Sequence, residues 1–189
     1  MTLMLERPGE LQPRRFTFAE FEQMSNLGLF ADQHVELLNG EILVKGLQSN
    51  EHSYAVQHLT DLFHSSFTEL AVVRPQLPIV LETPPPDFVE PDLALLKLPK
   101  IQYKTRTASS SDAFLVVEVS DSTLERDQTI KLKAYARNGI LEYWILNVHT
   151  NQLEVYREPS GNEYLSVRKH KIGQAVAPLE FPELPLEWW

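Results

Sequence analysis

The chain has 189 residues, 43% of them hydrophobic, which suits one globular domain and excludes a disordered polymer. Its 17 Lys and Arg against 26 Asp and Glu give a net charge of −9, so a general polyanion binder is excluded and nucleic acid could be met only through a local basic patch. There is no cysteine, which removes disulfides, thiolate nucleophiles and thiolate zinc sites from consideration.

Residues 1–15 are polar, carry Pro8 and Pro13, and read as a loose segment ahead of one domain, 16–189. No signal-peptide core is present there, and no apolar run nears the roughly 20 residues that span a bilayer. A cytoplasmic protein with no membrane partner is expected. Thr17 and Glu20 fit a capping box, opening a short helix whose apolar side is Phe18, Phe21 and Met24. HVELLNGEILVK (34–45) reads as a hairpin turning at Asn39-Gly40. Residues 50–67 read as a helix with Tyr54, Leu59, Leu62 and Phe63 as core candidates.

Residues 71–81 are strand-like, with Pro75 and Pro78 pushing parts of them to an edge or bulge. After a stiff connector at 83–87, FVEPDLALL (88–96) reads as another strand, bent at Pro91 just before Asp92. KLPKIQYKTR (97–106) holds Lys97, Lys100, Lys104 and Arg106 without an acid. It is either a solvated loop, the commoner case, or a nucleic-acid contact.

The stretch 114–144 organises the rest. FLVV is a buried strand, Glu118 follows at once, and Ser120-Asp121-Ser122-Thr123 is a turn able to cap what comes next. A helical pattern runs over 124–138 and stops at Asn138-Gly139. Asp127 and Lys131 lie one turn apart on one face. EYWIL begins a further strand, and two more are expected at 153–156 and 164–167. The C-terminal FPELPLEWW is expected to pack on a subunit surface, hence a homodimer. The sum is an α/β fold with a mixed sheet of six or more strands flanked by few helices. With seven glycines and no glycine-rich phosphate loop, no organic cofactor is expected.

Asp92 and Glu118 each sit at or beside an apolar strand, where a carboxylate is costly unless paired or bound to metal. On neighbouring strands they could share one Mg²⁺ or Mn²⁺, oxygen ligands being what those ions take. Lys131 could lean over that site and orient a water or a phosphate. A lone strand-end acid is more often a turn or rim residue, and a lone helical lysine a solvated face. What lifts the set is its order: strand Pro-Asp, strand Glu, helix Asp-x-x-x-Lys.

That order resembles the PD-(D/E)XK nuclease superfamily, and the chain is similar to the Uma-two restriction-endonuclease family over about 16–176. The resemblance rests on VELLNGEIL, a helix opening with His52, EPDLALL, VVEVSDST and DQTIKLKAYARNGILEYWILN. It implies a restriction-endonuclease-like core, a mixed sheet flanked by helices with an N-terminal helix and hairpin, and a metal-dependent endodeoxyribonuclease. Asp92 and Glu118 would be the metal ligands. Ser120 stands where the superfamily's lysine usually follows the second acid, and Lys131 would replace it from the helix. Glu36 would add to the site, and His52 is a weaker match. Asn147, where many relatives carry Asp, reads as a turn residue. The competing class is a non-catalytic, nuclease-like module that binds DNA or protein. As a rim ligand, Asp92 is expected to be dispensable for folding: Asp92→Ala should abolish cleavage and be neutral or stabilising by about 0–2 kcal/mol without metal.

Overall fold

The computed structural model describes residues 13–188. The loose segment expected at 1–15 therefore lies mostly outside the described residues. Of the part described, Arg15 bonds the Asn39 carbonyl and Phe16 N–H donates to the Gly40 carbonyl at 2.8 Å. α1 (Phe18–Asn26) starts at the Thr17–Glu20 capping box and buries Phe21. β1 (Val35–Leu38) and β2 (Glu41–Val44) form the expected hairpin. Asn39 at φ 52° and Gly40 at φ 76° make the left-handed two-residue turn that matches strand twist. α2 (Asn50–Phe67) is capped by Ser49 and buries Ala55, Val56, Leu59 and Phe63. Leu62 is half-buried, but Tyr54, expected in the core, is 65% exposed because it lies about 100° round the helix from Ala55.

The two strands expected at 71–81 and 88–96 are each cut in two. They become β3 (Val72–Pro75), β4 (Ile79–Leu81), β5 (Asp87–Val89) and β6 (Leu93–Leu96). The cuts fall at prolines: Pro75 and Pro78 flank Gln76 at φ 47°, and Pro91 separates β5 from β6. The later strands are β7 (Ala108–Ser109), β8 (Ala113–Ser120), β9 (Glu142–Asn147), β10 (Gln152–Ser160), β11 (Glu163–Lys171), β12 (Ala175–Val176) and β13 (Leu186–Glu187). A five-stranded sheet runs β2-β1-β5-β4-β7, a six-stranded one β11-β10-β9-β8-β6-β3, and β12 pairs with β13. The six-stranded sheet is mixed, with β8 parallel to β9 and its other pairs antiparallel. The class is α/β as expected. What the sequence did not show is that the proline cuts send β4 and β5 to one sheet and β3 and β6 to the other.

β8 and β9 are joined through α3 (Leu124–Arg126), a π-helical turn (Asp127–Lys131) and α4 (Leu132–Arg137). Alternate residues of β8 face opposite layers. Val117 and Val119 join Leu59 and Phe63 of α2 in one core, while Val116 joins Ala134 and Tyr135 of α4 in the other. A strand covered on both faces has to be continuously apolar, and FLVV is. The C-terminal aromatics do not wait for a partner. Trp188 is 1% exposed inside the core of its own chain, and the Phe181 ring packs tilted against Phe67 and edge-on against Phe114. The stated reason for a homodimer thereby falls away; Trp189 lies outside the described residues. KLPKIQYKTR forms a short 3₁₀ turn (Lys100–Lys104). No described helix is long and apolar enough to cross a membrane.

Candidate functional site

β6 runs antiparallel to β8, with Leu93 opposite Val117. Asp92, one residue before β6, therefore lies beside the end of β8, where its Oδ2 accepts the Val119 N–H at 2.9 Å. A pocket of ≈ 140 Å³ opens there, and Asp92, Glu118 and Lys131 all line it, with Lys45, His52 and Arg126. His52, in the first turn of α2, places Nε2 3.2 Å from Asp92 Oδ2.

Glu118 has the opposite parity to Val117 and Val119, so it faces α4 and the π turn. Its Oε1 accepts from Lys131 Nζ at 2.9 Å and from the Tyr135 hydroxyl at 2.6 Å. Oε2 has no donor among the described residues. Lys131 is 1% exposed and also reaches Glu36 Oε1 on β1 at 2.9 Å, so one ammonium ties the two sheets together. Glu36 Oε1 takes the Glu90 N–H as well, and its Oε2 is buried without a partner among the described residues. Lys45 braces this corner by donating to the Glu90 carbonyl and carboxylate at 3.0 and 3.2 Å. The helix expected over 124–138 is π-wound where it carries Asp127 and Lys131, and such turns recur at functional places. Asp127 anchors the turn by accepting from Ser120 and Thr123 hydroxyls at 2.7 and 2.6 Å.

Burial pushes the Glu118 carboxyl up to about 8; Lys131 opposes the shift, and the negative charge of Asp92 adds to it. Burial works against the Lys131 charge, but Glu118 and Glu36 outweigh it and hold the ammonium above its usual range. Glu36 is held below the carboxylate range, burial being outweighed by Lys131. Asp92 is also lowered against its burial, chiefly by His52; burial works against the His52 charge as well, but Asp92 outweighs it and raises the ring. The pocket thus contains an acid that burial makes reluctant to ionise beside one that is ionised.

Among the described residues no three His, Asp or Glu side chains form a ready metal cage. Mg²⁺ rarely asks for one: one or two carboxylates, waters and substrate phosphate are its usual set. Glu118 suits that smaller requirement, since it keeps an oxygen without a donor among the described residues and gains from a nearby positive charge, and Asp92 lines the same pocket.

Asp92, Glu118, Lys131, Glu36 and His52 are brought together. The basic run is not part of the pocket. Lys97 donates to the Ser111 carbonyl, Arg106 forks onto Asp112 at 2.6 and 2.8 Å, and Lys100 and Lys104 line a separate groove with Arg74 and Tyr103. Asn147 caps its turn by accepting the His149 and Thr150 N–H groups, as its place after the strand suggests. The sequence reading missed three members. Tyr135 is buried as a core tyrosine would be, but its hydroxyl serves Glu118; its position four after Lys131 is the available signal. Lys45 and Arg126 offered no signal beyond their charge.

No curated protein matches the chain. In three dimensions it is similar to a crystal structure titled as a putative nuclease belonging to DUF820 from Anabaena variabilis ATCC 29413. The TM-score is 0.71 at 15% identity, over 92% of this chain and 95% of that one, so the fold is shared. The family described as "Uma2: Putative restriction endonuclease" matches residues 18–188, nearly the whole chain, and the protein belongs to that family.

Proposed function

We propose that the protein is a divalent-metal-dependent endonuclease that hydrolyses DNA phosphodiester bonds through a PD-(D/E)XK-type site. The observation that carries the reading is Lys131. A helical lysine, with Ser120 in the usual lysine place, brings its Nζ to 2.9 Å from Glu118 in the pocket that Asp92 lines. The complete Asp, Glu and Lys set is therefore present in one pocket. The family description supports the reaction class.

In this reading Asp92 and Glu118 hold Mg²⁺ (or Mn²⁺), which when bound lowers the pKa of a water and offsets phosphate charge. Lys131 orients the attacking water or takes up negative charge on the phosphate. Glu36 fixes Lys131 from the other sheet. His52 and the Val119 N–H fix Asp92, and Tyr135 fixes Glu118.

The test is a plasmid-nicking assay beside melting curves with and without Mg²⁺ or Mn²⁺. Wild type should nick DNA and gain melting temperature from metal. Asp92→Ala should do neither. An Asp92→Ala protein that still nicks and still gains stability from metal would overturn the assignment. Metal binding by the wild type without nicking of any DNA would favour the second reading, a non-catalytic DNA- or protein-binding module. The net charge of −9 favours the protein-binding form of that second reading, or a substrate reached through one basic face.

A further inference from the structure

The charged side chains of the pocket are almost all answered. Lys131 has Glu36 and Glu118, Lys45 has Glu90, His52 has Asp92, and Asp121 has His149 at 2.8 Å. Among the described residues the exception is Arg126. It lines the same pocket, forms no ion pair, and its Nε is buried without a hydrogen-bond partner. A guanidinium is permanently charged, and its planar fork matches two oxygens of a phosphate or carboxylate. Arg126 also ends α3, directly before the π turn that carries Lys131, so the chain sets both cations from one short segment. The capped N-terminus of α2 opens on the same pocket through Ser49 and His52 and favours negative charge there.

We propose that Arg126 is the phosphate-holding residue of this pocket, gripping non-bridging oxygens of a DNA phosphodiester beside Asp92 and Glu118. The proposal rests on the nuclease reading and names its substrate contact. Asp92, Glu118 and Asp121 would repel an anion, so phosphate should bind well only when a divalent cation is present.

The experiment compares wild type, Arg126→Ala and Arg126→Lys with Ca²⁺ in place of Mg²⁺, so that binding is read without cleavage. The probes are a fluorescent DNA duplex, followed by anisotropy across a salt series, and inorganic phosphate, followed by calorimetry. Arg126→Ala should bind the duplex about tenfold more weakly, with the salt slope reduced by about 0.9. It should lose phosphate binding and keep the metal-induced rise in melting temperature. Arg126→Lys should recover part of the affinity, since it restores charge without the fork. An Arg126→Ala protein that binds duplex and phosphate as wild type does would overturn the proposal. If wild type binds phosphate through Arg126 but neither binds nor nicks DNA, the nuclease reading fails and the anion site stands. If wild type binds neither probe with Ca²⁺ present, both fail.

Discussion

Lys131 is where the energetics of single residues are sharpest. It is buried between Glu36 and Glu118, so its removal leaves two carboxylates facing each other in a poor dielectric. Lys131→Met should cost about 3–5 kcal/mol in urea unfolding, the usual penalty for stripping one partner from a buried pair. Glu118→Gln should cost much less, about 1 kcal/mol, because Glu36 still answers Lys131 and burial already favours the neutral form. If Glu118→Gln proves the worse of the two, Lys131 is not the group that balances this corner. Asp92 needs a revised expectation. It is 4% exposed and accepts from Val119 N–H and His52, so it is not the rim residue that the sequence suggested. Asp92→Ala without metal should lose about 1–3 kcal/mol, because the Val119 N–H is left unpaired. Asp112 gives a pH signature. The hydrogen bonds from Arg106 hold its carboxyl below the ordinary 3.8. A depressed carboxyl adds stability that is present above its unfolded value and lost as pH falls through its folded value. The gap in melting temperature between wild type and Asp112→Asn should therefore narrow below about pH 4, and a gap constant with pH would refute the linkage.

Among the elements, the β1–β2 hairpin carries Glu36, and its turn is tightly specified. A Cβ on Gly40 would sit 2.7 Å from Arg15 Cβ at φ +76°. Gly139, at φ +70°, has nothing within 4 Å of that position. Gly139→Ala should cost only the left-handed penalty, about 1–2 kcal/mol. Gly40→Ala should cost clearly more, and equal losses in denaturant titration would show that the docking of Arg15 is loose. Elements of this kind were legible because their signals are local: Asn39-Gly40 for the turn, Thr17 and Glu20 for the cap, FLVV for a strand covered twice. The meeting of Asp92, Glu118 and Lys131 in one pocket was legible too, but through motif order. The partition into two sheets was not, since prolines announce a break without saying which strand each half will join. Nor was the hydrogen bond from Tyr135, because a buried tyrosine reads as core whether or not its hydroxyl has work. In the basic run the density of charge is visible in sequence, whereas the pairing of Arg106 with Asp112 is not.

For the whole molecule, the C-terminal segment acts as a wall of the domain. Trp188 packs with Leu186, Val176 and the α2 side of the six-stranded sheet. Trp188→Ala should lower stability by about 3–5 kcal/mol. The molar mass by light scattering should be the same for both proteins, whatever that mass is. A change in mass would restore the subunit-surface role once expected of FPELPLEWW. One further consequence follows from the bond between Lys131 and Glu36, which spans 95 positions of chain. While the chain is being made, Glu36 and Glu118 both leave the ribosome before the cation that balances them. Contacts so distant in sequence close late, after the loop between them has been ordered. Nascent and partly folded chains thus hold these two acids without the lysine, and the charge balance of this corner is reserved for molecules that have finished folding.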